Sequence, residues 1–179
     1  MTFSRGKDFW KKLMKKLLLL DADVVIDLHS LDLFDILAKA YNVMVTQEVF
    51  REAKWYPKRG KKIAIDIEDK VSIITDISID RVHEVYSEAR EARLTIDDGE
   101  ATSIAYIIQK KEDLRFCTCD KAAIILLSYM GLEKEAVSLE TALRESSHHK
   151  KLFPRHLKSE FQDCVKEGKV RLVQYKKFD

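Results

Sequence analysis

Leu17-Leu18-Leu19-Leu20-Asp21-Ala22-Asp23 is the stretch of sequence that decides the fold class. Four consecutive leucines between lysines and an aspartate predict a strand that is buried on both faces, because a central parallel strand shows no polar alternation. In open α/β sheets, ligands bind at the carboxyl ends of the strands. Asp21 is therefore the first candidate for a functional residue.

Beyond this stretch, short apolar runs alternate with helical patterns along the chain. Strands are predicted at 43–45, 71–74, 115–118 and 137–139, and helices over 28–41, 46–53, 82–89, 101–108 and 121–130. This alternation predicts a three-layer α/β/α domain with a central, mainly parallel sheet of four to five strands. Residues 54–62 contain Pro57 and Gly60, and this segment is predicted to be a loop.

The length of 179 residues favours one main domain with flanking segments. We predict a basic N-terminal arm or helix over 1–16, a core domain over 17–145 and a C-terminal extension over 146–179. In the extension, Pro154 is predicted to open a helix that Gly168 ends, with an edge strand after it. Three roles stay open for the extension: forming a homodimer, covering the site, or packing on the sheet edge.

Charge and cysteine content exclude several classes of protein. The chain has 32 basic and 30 acidic residues, which argues against a polycation that binds nucleic acid by bulk charge. Three cysteines, an odd number, argue against a secreted disulfide framework and indicate a reducing compartment. The apolar run before Asp21 is too short for a signal peptide or a membrane span. We therefore expect a cytoplasmic protein without a membrane partner.

Acidic residues follow predicted strand ends or begin predicted helices in four separate segments. They are Asp21 and Asp23, Glu48 and Glu52, Asp97, Asp98 and Glu100, and Asp120. Since parallel strands bring their carboxyl ends to one edge, these side chains should converge. Close carboxylates repel one another unless cations neutralise them. Mg²⁺ or Mn²⁺ would do so, and two such ions ~3.5–4 Å apart can clamp a phosphodiester and activate water.

These four segments resemble the motifs of the PIN-domain family of metal-dependent ribonucleases. The leucine strand ending at Asp21 looks like the family's opening motif, and residues 45–53 are similar to its second motif, with the acid at Glu52. Asp98-Gly99-Glu100-Ala101 resembles the third motif, with the acid at Glu100. Residues 116–123 resemble the fourth. The resemblance covers roughly residues 17–143.

The resemblance implies a metal-dependent endoribonuclease, in which the four motif acids hold one or two Mg²⁺ or Mn²⁺ ions. These implied ligands are Asp21, Glu52, Glu100 and Asp120. Thr118 would bind a carboxylate or a substrate phosphate, and Asp23, Asp97 or Asp98 would orient water from outside the ligand set. The family further implies RNA as the substrate and, for its toxin-type members, a small antitoxin-like inhibitor protein as partner.

The basic segment 54–62 is a candidate surface for binding RNA. Trp55 or Tyr56 would stack on bases, and the cations Lys58, Arg59, Lys61 and Lys62 would contact phosphates. The alternative for this segment is a solvated loop without a partner.

Other interpretations of the acids also stay open. Asp21 and Asp120 are suited to cap helices, Asp97 and Glu100 have the spacing of a capping box, and Glu52 would be a solvated helix residue. One alternative function is a non-catalytic PIN-like module that binds RNA or a protein. The other is a haloacid-dehalogenase-like phosphatase. The stretch Leu-Leu-Asp21-Ala-Asp23 resembles the nucleophile motif of that family, but the family's later Gly-Asp motif is not found in this sequence.

Overall fold

The computed structural model describes residues 15–110 and 113–176, so most of the predicted N-terminal arm lies outside the described residues. Its central sheet has five parallel strands in the order β5-β2-β1-β6-β7, and a separate antiparallel hairpin joins β3 to β4. The strands are β1 (Leu17–Leu20), β2 (Asn42–Thr46), β3 (Trp55–Lys58), β4 (Lys61–Ala64), β5 (Ser72–Ile74), β6 (Leu114–Cys117) and β7 (Ala136–Val137). The predicted α/β class with a parallel sheet is confirmed.

Helices connect these strands and flank the sheet. They are α1 (Ala22–Ser30), α2 (Phe34–Ala40), α3 (Gln47–Glu52), α4 (Ile79–Glu91), α5 (Asp98–Gln109), α6 (Lys121–Tyr129), α7 (Leu139–Glu145) and α8 (Lys158–Tyr175). Two 3₁₀ turns are also described, Glu133–Glu135 and Pro154–His156. None of these helices is long and apolar enough to span a membrane.

The leucine strand β1 lies at the centre of the sheet, and its side chains divide the core into two layers. Leu18 and Leu20 pack in one cluster with residues of α1, α2, α3 and α7, whereas Leu19 packs in another with residues of α4, α5 and α6. Alternate residues of a strand point to opposite faces, so helices cover both faces of the sheet. Leu18, Leu19 and Leu20 are fully buried because this strand has a neighbour on each side and a helix layer above and below, whereas Leu17 at the start of the strand is partly buried.

The segment 54–62, predicted to be a loop, forms most of a β-hairpin instead. Arg59 and Gly60 both have positive φ values, +50° and +75°, and make a two-residue turn between β3 and β4. Turns with this backbone geometry match the twist of paired strands. Pro57 is tolerated because each strand of an isolated hairpin is an edge strand. The loop prediction was wrong because the turn residues connect two paired strands instead of ending regular secondary structure.

The C-terminal extension is helical, as predicted, but its details differ from the prediction. Pro154 opens a short 3₁₀ turn rather than α8, and α8 runs through Gly168 to Tyr175, so the predicted helix end and edge strand are wrong. A Cβ atom on Gly168 would lie 2.5 Å from both the Ile125 carbonyl oxygen and Ser128 Cβ. Gly168 therefore permits close packing of α8 on α6 rather than ending a helix.

Candidate active site

The site lies at the carboxyl edge of the sheet, where two neighbouring strands each lead into a helix through an aspartate. Asp21 follows β1 and caps α1, and Asp120 follows β6 and caps α6. The Asp21 N–H donates to the carbonyl of Cys117 at 3.1 Å, which ties the ends of these two strands together. Strand β2, on the other side of β1, leads into α3, and Glu52 is the last residue of that helix.

Asp21 is buried, and both of its carboxylate oxygens accept hydrogen bonds. Oδ2 accepts from Thr118 Oγ1 at 2.6 Å, and Oδ1 accepts from the Ala22 N–H at 2.8 Å. Burial raises the pKa of Asp21 to about 7, although these two hydrogen bonds act to lower it. Thr118 Oγ1 also accepts from the Asp120 N–H at 3.1 Å, so one hydroxyl links both strand-end aspartates.

Glu100 is the second buried acid of the site, and it forms the capping box suggested by its spacing from Asp97. The Glu100 N–H donates to Asp97 Oδ1 at 2.8 Å, and the Asp97 N–H donates to Glu100 Oε2 at 3.0 Å. Burial, together with the charges of Asp120, Asp97 and Asp21, raises the pKa of Glu100 to about 9. The acids of three separate segments therefore lie close enough to repel one another.

The carboxylates of Glu52 and Asp97 both lie close to Gly99. A Cβ atom on Gly99 would lie 3.3 Å from both Glu52 Oε2 and Asp97 Oδ1, so a glycine here leaves room for the two carboxylates. Burial raises the pKa of Glu52, and the charges of Asp97 and Asp23 raise it further. These groups line an open pocket of about 440 Å³, whose lining residues are Glu48, Arg51, Glu52, Asp97, Asp98 and Gly99.

Two of the acids that were predicted to orient water have protein partners of their own. Asp98 accepts a hydrogen bond from the hydroxyl of Tyr86, whose pKa is raised to about 12 by its burial and by this bond. Asp23 accepts from Arg155 Nη1 at 3.0 Å. Asp97, the third, accepts the Glu100 N–H in the capping box, and its carboxylate also lies near that of Glu52.

Sequence reasoning missed a cluster that joins the C-terminal extension to α1, in which Asp27 and His156 are buried while Arg155 and Asp23 are exposed. Arg155 Nε and Nη2 both donate to Asp27 Oδ2, at 2.9 and 2.6 Å, and His156 Nε2 lies 2.6 Å from the same oxygen. Burial acts to raise the pKa of Asp27, but the hydrogen bonds from His156 and Arg155 outweigh it and hold this pKa below its ordinary value. Because Arg155 also binds Asp23, the extension holds one of the acids predicted for the site.

Only part of this cluster had a signal in the sequence. Asp23 and Asp27 are four residues apart and so share a face of α1, which local spacing reveals. Their cationic partners lie 128 to 132 residues later, and no local pattern links positions so far apart.

The five predicted RNA-binding residues lie together on the β3–β4 hairpin, which starts three residues after Glu52. They are Trp55, Lys58, Arg59, Lys61 and Lys62. One of them is already paired within the protein, because Lys58 Nζ donates to Asp32 Oδ1 and Oδ2 at 2.8 and 3.1 Å.

The donor set has the chemistry that Mg²⁺ and Mn²⁺ prefer, since every motif acid offers carboxylate oxygens. Neither Glu100 Oε1 nor Asp120 Oδ2 accepts a hydrogen bond from residues 15–110 or 113–176. In that same part of the chain, no three His, Cys, Asp or Glu side chains stand together in the arrangement of a metal site.

Comparison with models of protein families, with curated protein sequences and with solved structures gives no match.

Proposed function

We propose that this protein is a metal-dependent endoribonuclease of the PIN type, which hydrolyses RNA phosphodiester bonds at the acidic edge of the sheet. The observation that carries the proposal is the burial of Glu100 beside Asp120, Asp97 and Asp21, which raises its pKa to about 9. Mutual repulsion of this kind costs stability, and a divalent cation would remove it. Ser, Thr or Asn cap helices as well as Asp does, without the repulsion.

In this proposal, Asp21, Glu52, Glu100 and Asp120 would hold Mg²⁺ or Mn²⁺. When bound, such an ion lowers the pKa of a coordinated water and stabilises the charge that develops on the phosphodiester. Glu100 must release its proton before it can bind a cation, because only the charged carboxylate is a strong ligand.

Neighbouring groups position these acids. Thr118 Oγ1 and the Ala22 N–H fix the carboxylate of Asp21, and the capping box fixes Glu100 against the start of α5. Because backbone groups or a buried hydroxyl orient the carboxylates of Asp21 and Glu100, these two side chains would need little reorganisation to act as ligands.

A second candidate is the non-catalytic module that binds RNA or a protein. The observation that favours it is that Asp21, Asp97, Glu100 and Asp120 all accept backbone hydrogen bonds at helix starts. Such caps are useful to the fold whether or not a metal binds.

The test is cleavage of a panel of labelled single-stranded and hairpin RNAs, with Mn²⁺ or with EDTA. The wild-type protein is compared with Asp120→Asn, which keeps a good N-cap residue, and with Asp80→Asn, which makes the same charge change in the first turn of α4. We expect cleavage that needs Mn²⁺, is lost in Asp120→Asn and is kept in Asp80→Asn. Undiminished cleavage by Asp120→Asn would refute the assignment, and absence of both cleavage and Mn²⁺ binding would favour the binding module.

A further inference from the structure

The β3–β4 hairpin has two different faces, which follow from its register. Trp55 pairs with Ala64 and Pro57 with Lys62, and these four residues point to the same side because alternate residues of a strand share a face. All four are exposed. The opposite face carries Tyr56 and Ile63, which are partly buried, and it lies against α1.

The contacts of the inner face fix the hairpin on the domain. The ring of Tyr56 lies 5.7 Å from the ring of His29 on α1, and Lys58 binds Asp32 just beyond that helix. Tyr56 and Lys58 of the inner face therefore have partners within the protein, whereas the outer-face residues are exposed in the described part of the chain.

The outer face combines an exposed aromatic side chain with cations that lack acidic partners. Trp55 is 53% exposed, although burial of so large an aromatic side chain is strongly favourable. Lys62 shares its face, Arg59 lies at the turn, and neither forms an ion pair with a described residue.

From this juxtaposition we infer that the outer face of the hairpin binds single-stranded nucleic acid, with a base stacked on Trp55 and phosphates contacted by Lys62 and Arg59. Only bases that are not stacked on each other can stack on an aromatic side chain, and cations beside that side chain contact the phosphates of the nucleic acid strand. The inference deepens the proposed function, because β3 begins three residues after Glu52 and Trp55 is thus within about 11 Å of it along the chain.

The first measurement is the fluorescence of Trp55, made in EDTA so that no cleavage takes place. The chain has two tryptophans, and the full-length variant Trp10→Phe leaves Trp55 as the only one. It is titrated with an oligouridine of roughly 12 nucleotides, which is within the usual site size for single-strand binding, and with a duplex of the same length. We expect quenching by the single strand and little by the duplex, whose bases are already stacked. Equal quenching by the duplex, or none by either, would overturn the inference.

The second measurement uses a labelled oligouridine and a matched pair of lysines. Trp55→Ala should weaken binding by about 5- to 150-fold, the loss expected for one stacked base. Lys62→Ala should weaken binding and reduce the salt dependence by roughly 0.7 in log–log slope. Lys134→Ala removes the same charge from an exposed position in the 3₁₀ turn before β7 and should do neither. Equal losses of affinity in the two lysine variants would mean that binding depends on the net charge of the protein alone, which would contradict the inference.

Titration with a polyglutamate peptide tests the other class of partner, an acidic protein. Quenching of Trp55 by this peptide as strong as that by oligouridine would identify the arm as a site for acidic proteins and contradict the inference. Since all these titrations are made without metal, loss of RNA cleavage and loss of RNA binding are distinguished.

Discussion

Replacing Gly168 by alanine tests how closely α8 packs on α6. The substitution has two opposing effects on the free energy of unfolding. Alanine in a helix interior is favoured over glycine by about 1 kcal/mol, which would stabilise the protein. The added Cβ would, however, lie 2.5 Å from the Ile125 carbonyl oxygen and from Ser128 Cβ. One of these atoms belongs to the backbone of α6 and cannot rotate away.

Overpacking of this kind typically costs about 1–3 kcal/mol, and the contact with backbone places Gly168→Ala at the upper end. After subtraction of the helix propensity, we expect a net loss of about 1–2 kcal/mol, or roughly 2–8 °C in Tm for a chain of this size. The bond from Ser128 Oγ to the Val165 carbonyl, 2.7 Å long, would be strained as well.

The assay is urea unfolding followed by circular dichroism. Lys166→Ala, at an exposed position of the same helix, is the control and should change the free energy of unfolding by less than about 0.5 kcal/mol. An increase in the stability of Gly168→Ala would refute the close packing. It would mean that the higher helix propensity of alanine acts without any steric cost from contact with α6. The size of the decrease reports how far the two helices can separate.

Three further predictions concern the buried polar groups. Without metal, the free energy of unfolding should fall as pH rises from about 4.5 to 9, since folded Glu100 keeps a proton that the unfolded chain releases; Glu100 contributes at most about 1.4 kcal/mol per pH unit to the slope, Asp21 adds to the slope up to about pH 7, and Glu100→Gln should remove the contribution of Glu100. An unchanged slope in that variant would contradict the assigned pKa. Thr118→Val should cost about 1–3 kcal/mol in urea unfolding by leaving Asp21 Oδ2 without its donor, whereas Thr118→Ser should cost less. Arg155→Ala should cost about 1.5–3 kcal/mol because buried Asp27 loses a charged donor, and a neutral result would mean that His156 alone satisfies it.

The sheet was predictable because its signals are local. The leucine run of β1 and the aspartate that follows it lie within a few residues of one another, and the fully buried environment of a central strand explains the lack of alternation. The caps Asp21 and Asp120 were also recognisable from their positions before apolar helices. For the same reason, the acids at the strand ends could be assigned to one edge before the fold was known.

The errors came from residues whose role depends on distant partners. Gly168 was interpreted as a helix end, whereas its lack of a side chain serves contact with α6, which lies about 40 residues earlier. Val170 and Val173 suggested a strand, but both are exposed on a helix. The turn at Arg59 and Gly60 joins two strands whose pairing gives them a structure that neither would have alone. The contact of Arg155 with Asp23 and Asp27 joins positions 128 to 132 residues apart, because the 3₁₀ turn of the C-terminal extension packs against α1.

The position of β1 also affects how the chain emerges during synthesis. It is the first strand of the described sheet to be made, yet one of its two neighbours, β6, begins almost a hundred residues later. At ~5–20 residues per second, about 5–20 s pass between the two. During that interval the most apolar strand of the protein has an unpaired edge, and such edges are prone to join with other chains. Slower translation would lengthen the exposure, so the yield of soluble protein should depend on the rate at which residues 21–117 are made.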